Sequence, residues 1–316
     1  MKKLSALLAA VTACAVLAAC GTASGEIEGN TFHVGTIPNP SDVAIYLGNT
    51  QGFYADAGLT VEPKIATGFA PNLASVINGE SQVGFAAVVP LIVAKSKGAP
   101  ITIIAGADKA PAEYDPATDP DRVFVAAGSD IDSPKDLEGK TVAVNALGSI
   151  QDLGIKIMVE RDGGDPGKIK FLTLASNDMA AAIAGGRVDA GALSEPFSTA
   201  AGKQGLKPLF SYVTSPTPGA PVGAYFTSEA TAENNVELMD AFVAALTQSN
   251  EFAQQHPEEV RKELGEYTRI PENLINEINT FEYSSTITDE QIARLSDLLI
   301  EYDYITKPVT GEEILR

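Results

Sequence analysis

The chain has 316 residues, of which 45% are hydrophobic and 20% are charged, and it contains no Trp. This composition predicts a globular protein of one or two domains and argues against extensive disorder. The formal charge of −19 excludes nucleic acid as a partner, because phosphate binding requires a basic face.

The amino terminus predicts export from the cytoplasm. Lys2 and Lys3 precede an apolar run that ends at Ala19, and this run is shorter than the roughly 20 apolar residues that a membrane-spanning helix needs. A short apolar run after basic residues is typical of a signal peptide. We therefore expect residues 1–19 to be removed.

A lipid site follows this run. The stretch "LAACG" resembles the cleavage box of bacterial lipoproteins, in which Cys20 becomes the lipid-modified first residue. Cys14 leaves with the signal peptide, so the mature chain has no free thiol. We expect an extracytoplasmic protein anchored to the cell membrane through Cys20, with the polar, Gly-rich residues 20–30 as a flexible tether.

From Phe32 onward, short apolar strands alternate with helical segments, and the alternation occurs twice. Gly79 and Gly186 occupy equivalent places in the two passes, each as a helix stop followed by a strand. The pattern predicts an α/β fold with two similar three-layer lobes and mixed, mostly parallel sheets around a ligand cleft. The predicted strands are 32–37, 59–66 and 83–87 in the first pass and 141–145, 169–175 and 188–193 in the second; the predicted helices are 41–57, 71–77, 149–161 and 177–184.

Four helix starts are expected to converge on the cleft, at residues 39–41, 68–70, 148–150 and 176–178. Each start offers unpaired N–H groups and a partial positive charge, which favours a ligand with an acceptor or anionic group. The alternative for the start at 148–150 is that Ser149 and water satisfy these groups. Beyond residue 234 the helical tail is expected to pack on a lobe.

Four stretches carry a family resemblance: "GTIPNPSDVAIYLGNTQGFYADAGLTVE", "INGESQVGFA", "KDLEGKTVAVNALGS" and "GGRVDAGALSEP". They resemble the solute-binding proteins of ABC importers in the nitrate, sulfonate, taurine and thiamine-pyrimidine group. The resemblance implies a periplasmic binding protein of the second type, acting as a monomer that delivers a small molecule to a permease and its ATPase. It implies residues 31–124 and 222–316 in lobe 1 and 125–221 in lobe 2. We expect the lobes to close about the two crossings, near residues 123–126 and 222–225.

The resemblance also implies the ligand contacts. Glu195 has two readings, because it either accepts a hydrogen bond from the ligand or caps the helix that follows it. Many relatives have His in the first loop or the helix-start motif, where this chain has Asn39, Ser41 and Gln151. The implied contact residues, with Tyr225 added as a stacking surface, are Ile37, Pro38, Asn39, Thr67, Gly68, Phe69, Ala86, Ala87, Val88, Gly148, Ser149, Ile150, Gln151, Glu195 and Tyr225.

Signals for catalysis are missing, since no nucleophile, acid and base motif of the known kinds is present. We expect no enzymatic activity, no cofactor and no metal site. Asp108, Asp115, Asp119 and Asp121 lie in an acidic segment without the order of a calcium loop, and a solvated loop is the expected structure.

Two kinds of ligand remain open. The expected cleft loops contain no Lys or Arg, so an anion would rely on backbone N–H groups. A small organic anion of the sulfonate, nitrate or carboxylate type is the favoured ligand. The alternative is a neutral heteroaromatic such as a thiamine-type pyrimidine, stacked on Phe69 or Tyr225 and hydrogen-bonded by Asn39 and Glu195. A third hypothesis is a scaffold or sensor lipoprotein that transports nothing.

Overall fold

The computed structural model describes residues 25–316. The signal peptide predicted over residues 1–19 and the predicted lipid site at Cys20 lie outside this range. Among the described residues, no helix combines the length and the apolar character that a bilayer crossing requires.

The described part of the expected tether, residues 25–30, contacts the folded body. The backbone N–H of Ile27 donates to Oδ1 of Asn235 at 2.9 Å, and the Asn235 amide donates to the carbonyl oxygen of Gly25 at 2.5 Å. The Ile27 side chain is buried in the core. These residues are packed on the body, which departs from the expected flexible segment.

The strands form two sheets. The first sheet has the order β11-β4-β10-β3-β1-β2, and the second has the order β7-β6-β8-β5-β9. In chain order the strands are β1 (Thr31–Thr36), β2 (Thr60–Ile65), β3 (Val83–Ala87), β4 (Ile101–Lys109), β5 (Arg122–Val125), β6 (Thr141–Val144), β7 (Lys170–Thr173), β8 (Ala190–Leu193), β9 (Lys207–Ser211), β10 (Pro221–Ser228) and β11 (Glu282–Tyr283).

Both sheets repeat one arrangement, which confirms the prediction of two similar α/β lobes. In the first lobe β1 pairs in parallel with β2 and β3, and in the second β6 pairs in parallel with β7 and β8. An antiparallel strand then follows in each, β10 in the first lobe and β5 in the second. Gly79 and Gly186 both have positive φ, 76° and 68°, which fits the predicted helix stops.

Helices cover both faces of each sheet. They are α1 (Val43–Thr50), α2 (Phe53–Asp56), α3 (Phe69–Ile77), α4 (Val88–Ser96), α5 (Ile150–Arg161), α6 (Ser176–Ala184), α7 (Phe197–Lys203), α8 (Glu229–Asn234), α9 (Val236–Gln255), α10 (Pro257–Tyr267), α11 (Glu272–Ile275), α12 (Asp289–Glu301) and α13 (Gly311–Ile314). The single helix predicted over 41–57 is divided at Gly52, whose φ of 84° is accessible to Gly and breaks a helix.

Neighbouring residues of one strand show the three layers. Tyr225 packs in a core cluster with Phe242 of α9, whereas Phe226 packs in another with Leu295 of α12. Alternate side chains of a strand point to opposite faces, so these clusters lie on the two sides of the first sheet. In the second lobe Val123 and Phe124 divide in the same way.

The two crossings between the lobes lie in loops and not at the boundaries that the sequence suggests. The first boundary, placed after residue 124, falls inside β5, which pairs with β8 and β9 and so belongs to the second sheet. The chain crosses within residues 110–121 and returns within 212–220. The hinge positions expected at 123–126 and 222–225 overlap these strands, where the backbone is held by ladder hydrogen bonds.

The C-terminal segment packs chiefly on the first lobe and also reaches the second. Strand β11 pairs with β4, and Leu315 forms an isolated bridge with Ile103. Leu153 and Ile157 of α5, which belongs to the second lobe, share a core cluster with Leu299 of α12. The two lobes therefore have an apolar contact as well as two crossings.

Candidate ligand-binding cleft

A cleft of about 360 Å³ lies where the lobes face each other. This volume is at the lower end of the range for small-molecule sites. Its walls come from the first lobe, the second lobe, the first crossing and the C-terminal segment. They comprise Ile37, Pro38, Asn39, Pro40, Ser41, Pro120, Asp121, Asn145, Ser176, Ser194, Glu195, Pro196, Phe197, Val222, Asn279, Thr280 and Phe281.

The first wall is the loop 37–41 between β1 and α1. Asn39 caps the short 3-10 turn that follows, with Oδ1 accepting from the Ser41 N–H at 2.8 Å. The buried carboxylate of Asp42 accepts from the Ile37 N–H at 3.0 Å and closes the loop on itself. Three predicted contact residues, Ile37, Pro38 and Asn39, thus line the cleft in a fixed conformation.

Two tyrosines from the C-terminal segment hold the same loop from outside. The Tyr267 hydroxyl donates to the carbonyl oxygen of Asn39 at 2.7 Å, and the Tyr283 hydroxyl donates to that of Pro40 at 3.0 Å. Tyr267 also stacks on Tyr46, with ring centroids 3.7 Å apart. Residues far along the chain therefore position this wall.

Glu195 lies on the opposite wall and is 6% exposed. Its carboxylate accepts from the Thr199 N–H at 3.1 Å and from the Thr199 hydroxyl at 2.8 Å, which caps α7. It also accepts from the backbone N–H and the side-chain amide of Asn279, both at 3.3 Å. These contacts give the capping role, and they join the second lobe to the C-terminal segment.

Asp121 is the acidic group of the first crossing that lines the cleft, and it is 7% exposed. Burial, together with the neighbouring Asp119, raises the pKa of Asp121 to about 8. The hydroxyls of Ser194 and Tyr212 lie beside this carboxyl group and oppose part of the shift.

Sequence reasoning missed this residue. The expected solvated acidic loop is wrong for Asp108, Asp119 and Asp121, because all three are buried. The available signal was the "DPDRV" run, in which the acids come directly before an apolar strand.

Buried acids outnumber buried bases around the cleft. Asp42, Asp108, Asp121 and Glu195 are all buried, whereas among the described residues Arg122 is the buried basic side chain. Burial raises the pKa of Asp108 to about 6 and that of Asp42 well above its ordinary value. The cleft therefore offers little positive charge to an anion, and it becomes more negative as these groups lose their protons.

Arg122 supplies little positive charge to the cleft. Its guanidinium donates to the Ser198 hydroxyl at 2.9 Å and to the carbonyl oxygen of Pro116 at 2.7 Å, and it lies 3.8 Å from a Glu195 oxygen. It does not line the cleft. In the described chain, no Lys or Arg side chain lines this cavity.

The start of α5, which the sequence marks as a candidate anion site, is occupied by its own side chains. Oγ of Ser149 accepts from the Gln151 N–H at 3.3 Å, and Asp152 accepts from the N–H groups of Ser149 at 2.8 Å and Gly148 at 3.2 Å. The Asp152 carboxylate already complements the helix dipole. An anion placed here would face that negative charge.

The other predicted contact residues are divided between a separate apolar cavity, the core and the surface. Phe69, Gly148 and Ser149 line an apolar cavity of about 630 Å³ between α3, α4 and the loop before α5. The Gln151 side chain is buried and bonds to the backbone of residues 145 and 192. Ala86, Val88 and Tyr225 are buried, Ala87 and Ile150 are half-buried, and Thr67 and Gly68 lie at the surface end of β2 and α3.

The structure is similar to solved solute-binding proteins. It superposes on the periplasmic aliphatic sulphonate binding protein of Escherichia coli with a TM-score of 0.76 at 19% identity, covering 92% of each chain. It superposes on the periplasmic nitrate-binding protein of Synechocystis with a TM-score of 0.70 at 16% identity, covering 88% of this chain and 83% of that one. The fold is that of a two-lobed periplasmic binding protein.

The amino-acid sequence identifies the family more specifically than the fold does. The profile described as "NMT1/THI5 like" matches residues 39–260. The chain therefore belongs to the NMT1/THI5-like family. It is also similar to a formylaminopyrimidine-binding protein of Halalkalibacterium halodurans, with 24% identity over 225 residues. That match covers 70% of this chain and 65% of the relative, slightly less than two thirds of the relative's length.

Proposed function

We propose that this protein is the solute-binding component of an ABC importer, and that its cleft binds a nitrogen heterocycle with exocyclic N–H donors, of the aminopyrimidine type. The observation that carries this proposal is the acidic lining of the cleft. A buried carboxyl group, Asp121, lines it, and in the described residues no basic side chain does.

The walls fit a flat ring with donors. Phe197 and Phe281 line the cleft and offer apolar surface for stacking. Asp121 and the hydroxyl of Ser194 offer acceptors for N–H groups. The name of the Halalkalibacterium halodurans relative supports the same class of ligand. The names of the two structural neighbours support a sulfonate or nitrate, but at their identities the likeness concerns the fold.

The charge distribution reverses the preference drawn from the sequence. A small anion was favoured because helix starts offer N–H groups. The start of α5 is occupied by Asp152, and in the described residues no Lys or Arg lines the cleft to compensate a negative guest. A heterocycle that donates hydrogen bonds is therefore the proposed ligand, and catalysis is no part of the proposal.

A ligand panel tests the proposal. We would measure thermal shift and calorimetric affinity with 4-aminopyrimidines, pyrimidines that lack the amine, alkanesulfonates and nitrate. Above pH 8, where Asp121 is ionised, Asp121→Asn should weaken aminopyrimidine binding by about tenfold or more, since hydrogen bonds to a charged group contribute about 1.5–3 kcal/mol. Glu113→Gln, an exposed acid of the same segment, is the matched control and should bind as the wild type does.

Each outcome decides between the hypotheses. Stabilisation by sulfonates or nitrate without any by aminopyrimidines would restore the anion hypothesis. A panel without any shift would favour the scaffold or sensor hypothesis, because a ligand at a hundred times Kd adds about 2.7 kcal/mol to stability.

The membrane location is a separate part of the proposal. We propose that Cys20 carries lipid after removal of residues 1–19 and holds the binder near its permease on the outer face of the membrane. Fractionation of cells that express the full chain should place the wild type in the membrane fraction. Cys20→Ser should release it; membrane retention of that variant would refute the anchor.

A further inference from the structure

A second polar cavity, of about 320 Å³, lies behind one wall of the cleft. It is enclosed by the first crossing, the junction of α9 and α10, and the strip 278–283 that leads into β11. Residues 279–281 line both cavities, each on one side. Its polar wall consists of Thr118, Gln254, Arg261, Asn279, Thr280, Glu282 and Tyr283.

Arg261 gives this cavity its charge. The residue lies on α10 and is half-buried. In the described part of the chain, its guanidinium makes none of the hydrogen bonds and none of the ion pairs within 4 Å. Its electrostatic interaction with Glu258 acts over a longer distance and leaves its N–H groups without a direct acceptor.

The acids around Arg261 make their direct contacts with other groups. On its own helix, Glu258 pairs with His256 at 3.2 Å and Glu259 pairs with Lys262 at 3.4 Å. Glu282, the acid that lines the cavity, pairs with Lys109 at 3.2 Å. The guanidinium N–H groups of Arg261 therefore remain available to a guest, although Glu258 offsets part of the charge.

The neighbouring polar groups add hydrogen-bond capacity beside this charge. The carbonyl oxygen of the Gln254 side chain accepts from the Tyr283 N–H at 2.8 Å, which orients the amide of Gln254. Thr118 and Thr280 present hydroxyl groups to the same cavity. A guanidinium with amide and hydroxyl groups around it matches the oxygens of a carboxylate or phosphate.

We propose that this cavity is a second binding site, which takes a small anion with a carboxylate or phosphate group through Arg261. The proposal is independent of the ligand in the cleft. The two cavities differ in their lining, because the cleft presents buried carboxyl groups and this cavity presents a guanidinium that makes no direct hydrogen bond or ion pair.

The test uses inorganic phosphate and succinate as probes, with sodium chloride at matched ionic strength. In the purified protein, either anion should raise the melting temperature above the chloride value and give a saturable calorimetric signal. Arg261→Gln should weaken that binding by at least tenfold, and Arg261→Lys should retain part of it. Arg269→Gln is the matched control, because Arg269 is exposed and its loss changes the net charge equally.

Two measurements keep the outcome decisive. The melting temperature in chloride shows that each variant folds, and Asp121→Asn should bind phosphate or succinate as the wild type does. If binding survives Arg261→Gln, or if Asp121→Asn abolishes it, the anion binds at another site and the proposal is overturned. The absence of any saturable binding by phosphate and succinate would also overturn it.

Discussion

Asp121 combines two properties that oppose each other, burial and a negative charge. A carboxylate removed from water without a basic partner is destabilised, and the free energy is lowered when the group binds a proton. Asp119 beside it adds repulsion, whereas Arg122 donates its hydrogen bonds elsewhere. The protein therefore retains a group that disfavours the folded state at high pH, which is expected where a side chain serves binding rather than stability.

The pH dependence of stability follows from this pKa. In the folded protein the pKa of Asp121 is raised to about 8, whereas in the unfolded chain it is near 4. Between these pH values the folded state binds more protons, so the stability contributed by this group is lost as pH rises towards 8. Asp121→Asn removes the effect, so its stability relative to wild type should increase by about 2 kcal/mol or more from pH 5 to pH 8.

Urea unfolding at the two pH values measures this difference. Asp130→Asn, an exposed substitution in the second lobe, should follow the wild type at both. A constant difference between Asp121→Asn and wild type at pH 5 and pH 8 would mean that Asp121 does not hold its proton in the folded state.

The loop 37–41 illustrates what sequence can and cannot predict. Strand periodicity and the "NPS" turn place a loop at a strand end, where α/β sheets bind ligands, and the structure puts it at the cleft. The sequence does not show that Tyr267 and Tyr283 hold it, since they lie more than 200 residues away. Contacts that depend on how the tail packs have no local pattern.

Tyr267→Phe tests this positioning. The substitution removes the hydrogen bond to the Asn39 carbonyl and keeps the ring stack, so stability should fall by only about 1 kcal/mol. Amide exchange in residues 37–42 should become faster, because the loop loses an external support. Tyr302→Phe, which loses a bond to Glu160 elsewhere, should leave exchange in that loop unchanged. Equal exchange in both variants would show that Tyr267 does not position the loop.

Helix α5 shows the same division between pattern and packing. Its boundaries, its Ser149 cap and its apolar face follow from the sequence. The structure does not support the anion site predicted at its start. The carboxylate of Asp152, three residues after Ser149, completes a capping box and accepts from the N–H groups there. Gly154 lies on that packed face, and the structure shows why a residue without a side chain is needed there.

Gly154→Ala should destabilise the protein. A Cβ at this position would lie 1.8 Å from the carbonyl oxygen of Tyr212, a backbone atom that cannot move without shifting the return crossing. Overpacking of this kind costs about 1–3 kcal/mol or more. Gly202→Ala in α7 is the control, because a Cβ there meets nothing within 4 Å and Ala favours helix by about 0.5–1 kcal/mol. Opposite signs in chemical unfolding confirm the argument, and a stabilised Gly154→Ala would contradict it.

At the scale of the whole molecule, the lobes are linked by more than their two crossings. The repeated strand order was predictable because each β-α-β unit carries its own periodicity, which is a local property. The contact of α5 with α12 was not, since it joins helices more than 100 residues apart. We infer that lobe movement is a rotation about this apolar contact, with the crossings 110–121 and 212–220 as hinges.

The contact between Asn279 and Glu195 lies on the cleft side of this axis and should set how far the lobes open. Asn279 donates two hydrogen bonds from the C-terminal segment to Glu195 in the second lobe, and Lys203 forms an ion pair with Glu277 beside them at 2.5 Å. Asn279→Ala removes the side-chain bond, so the free protein should become more open, with a larger radius of gyration by X-ray scattering. Asn276→Ala, at an exposed position of the same segment, should leave it unchanged. A cleft ligand should return the Asn279→Ala variant to the compact form, because it binds both walls and favours closure. Identical scattering from the wild type and Asn279→Ala would show that this contact does not control opening.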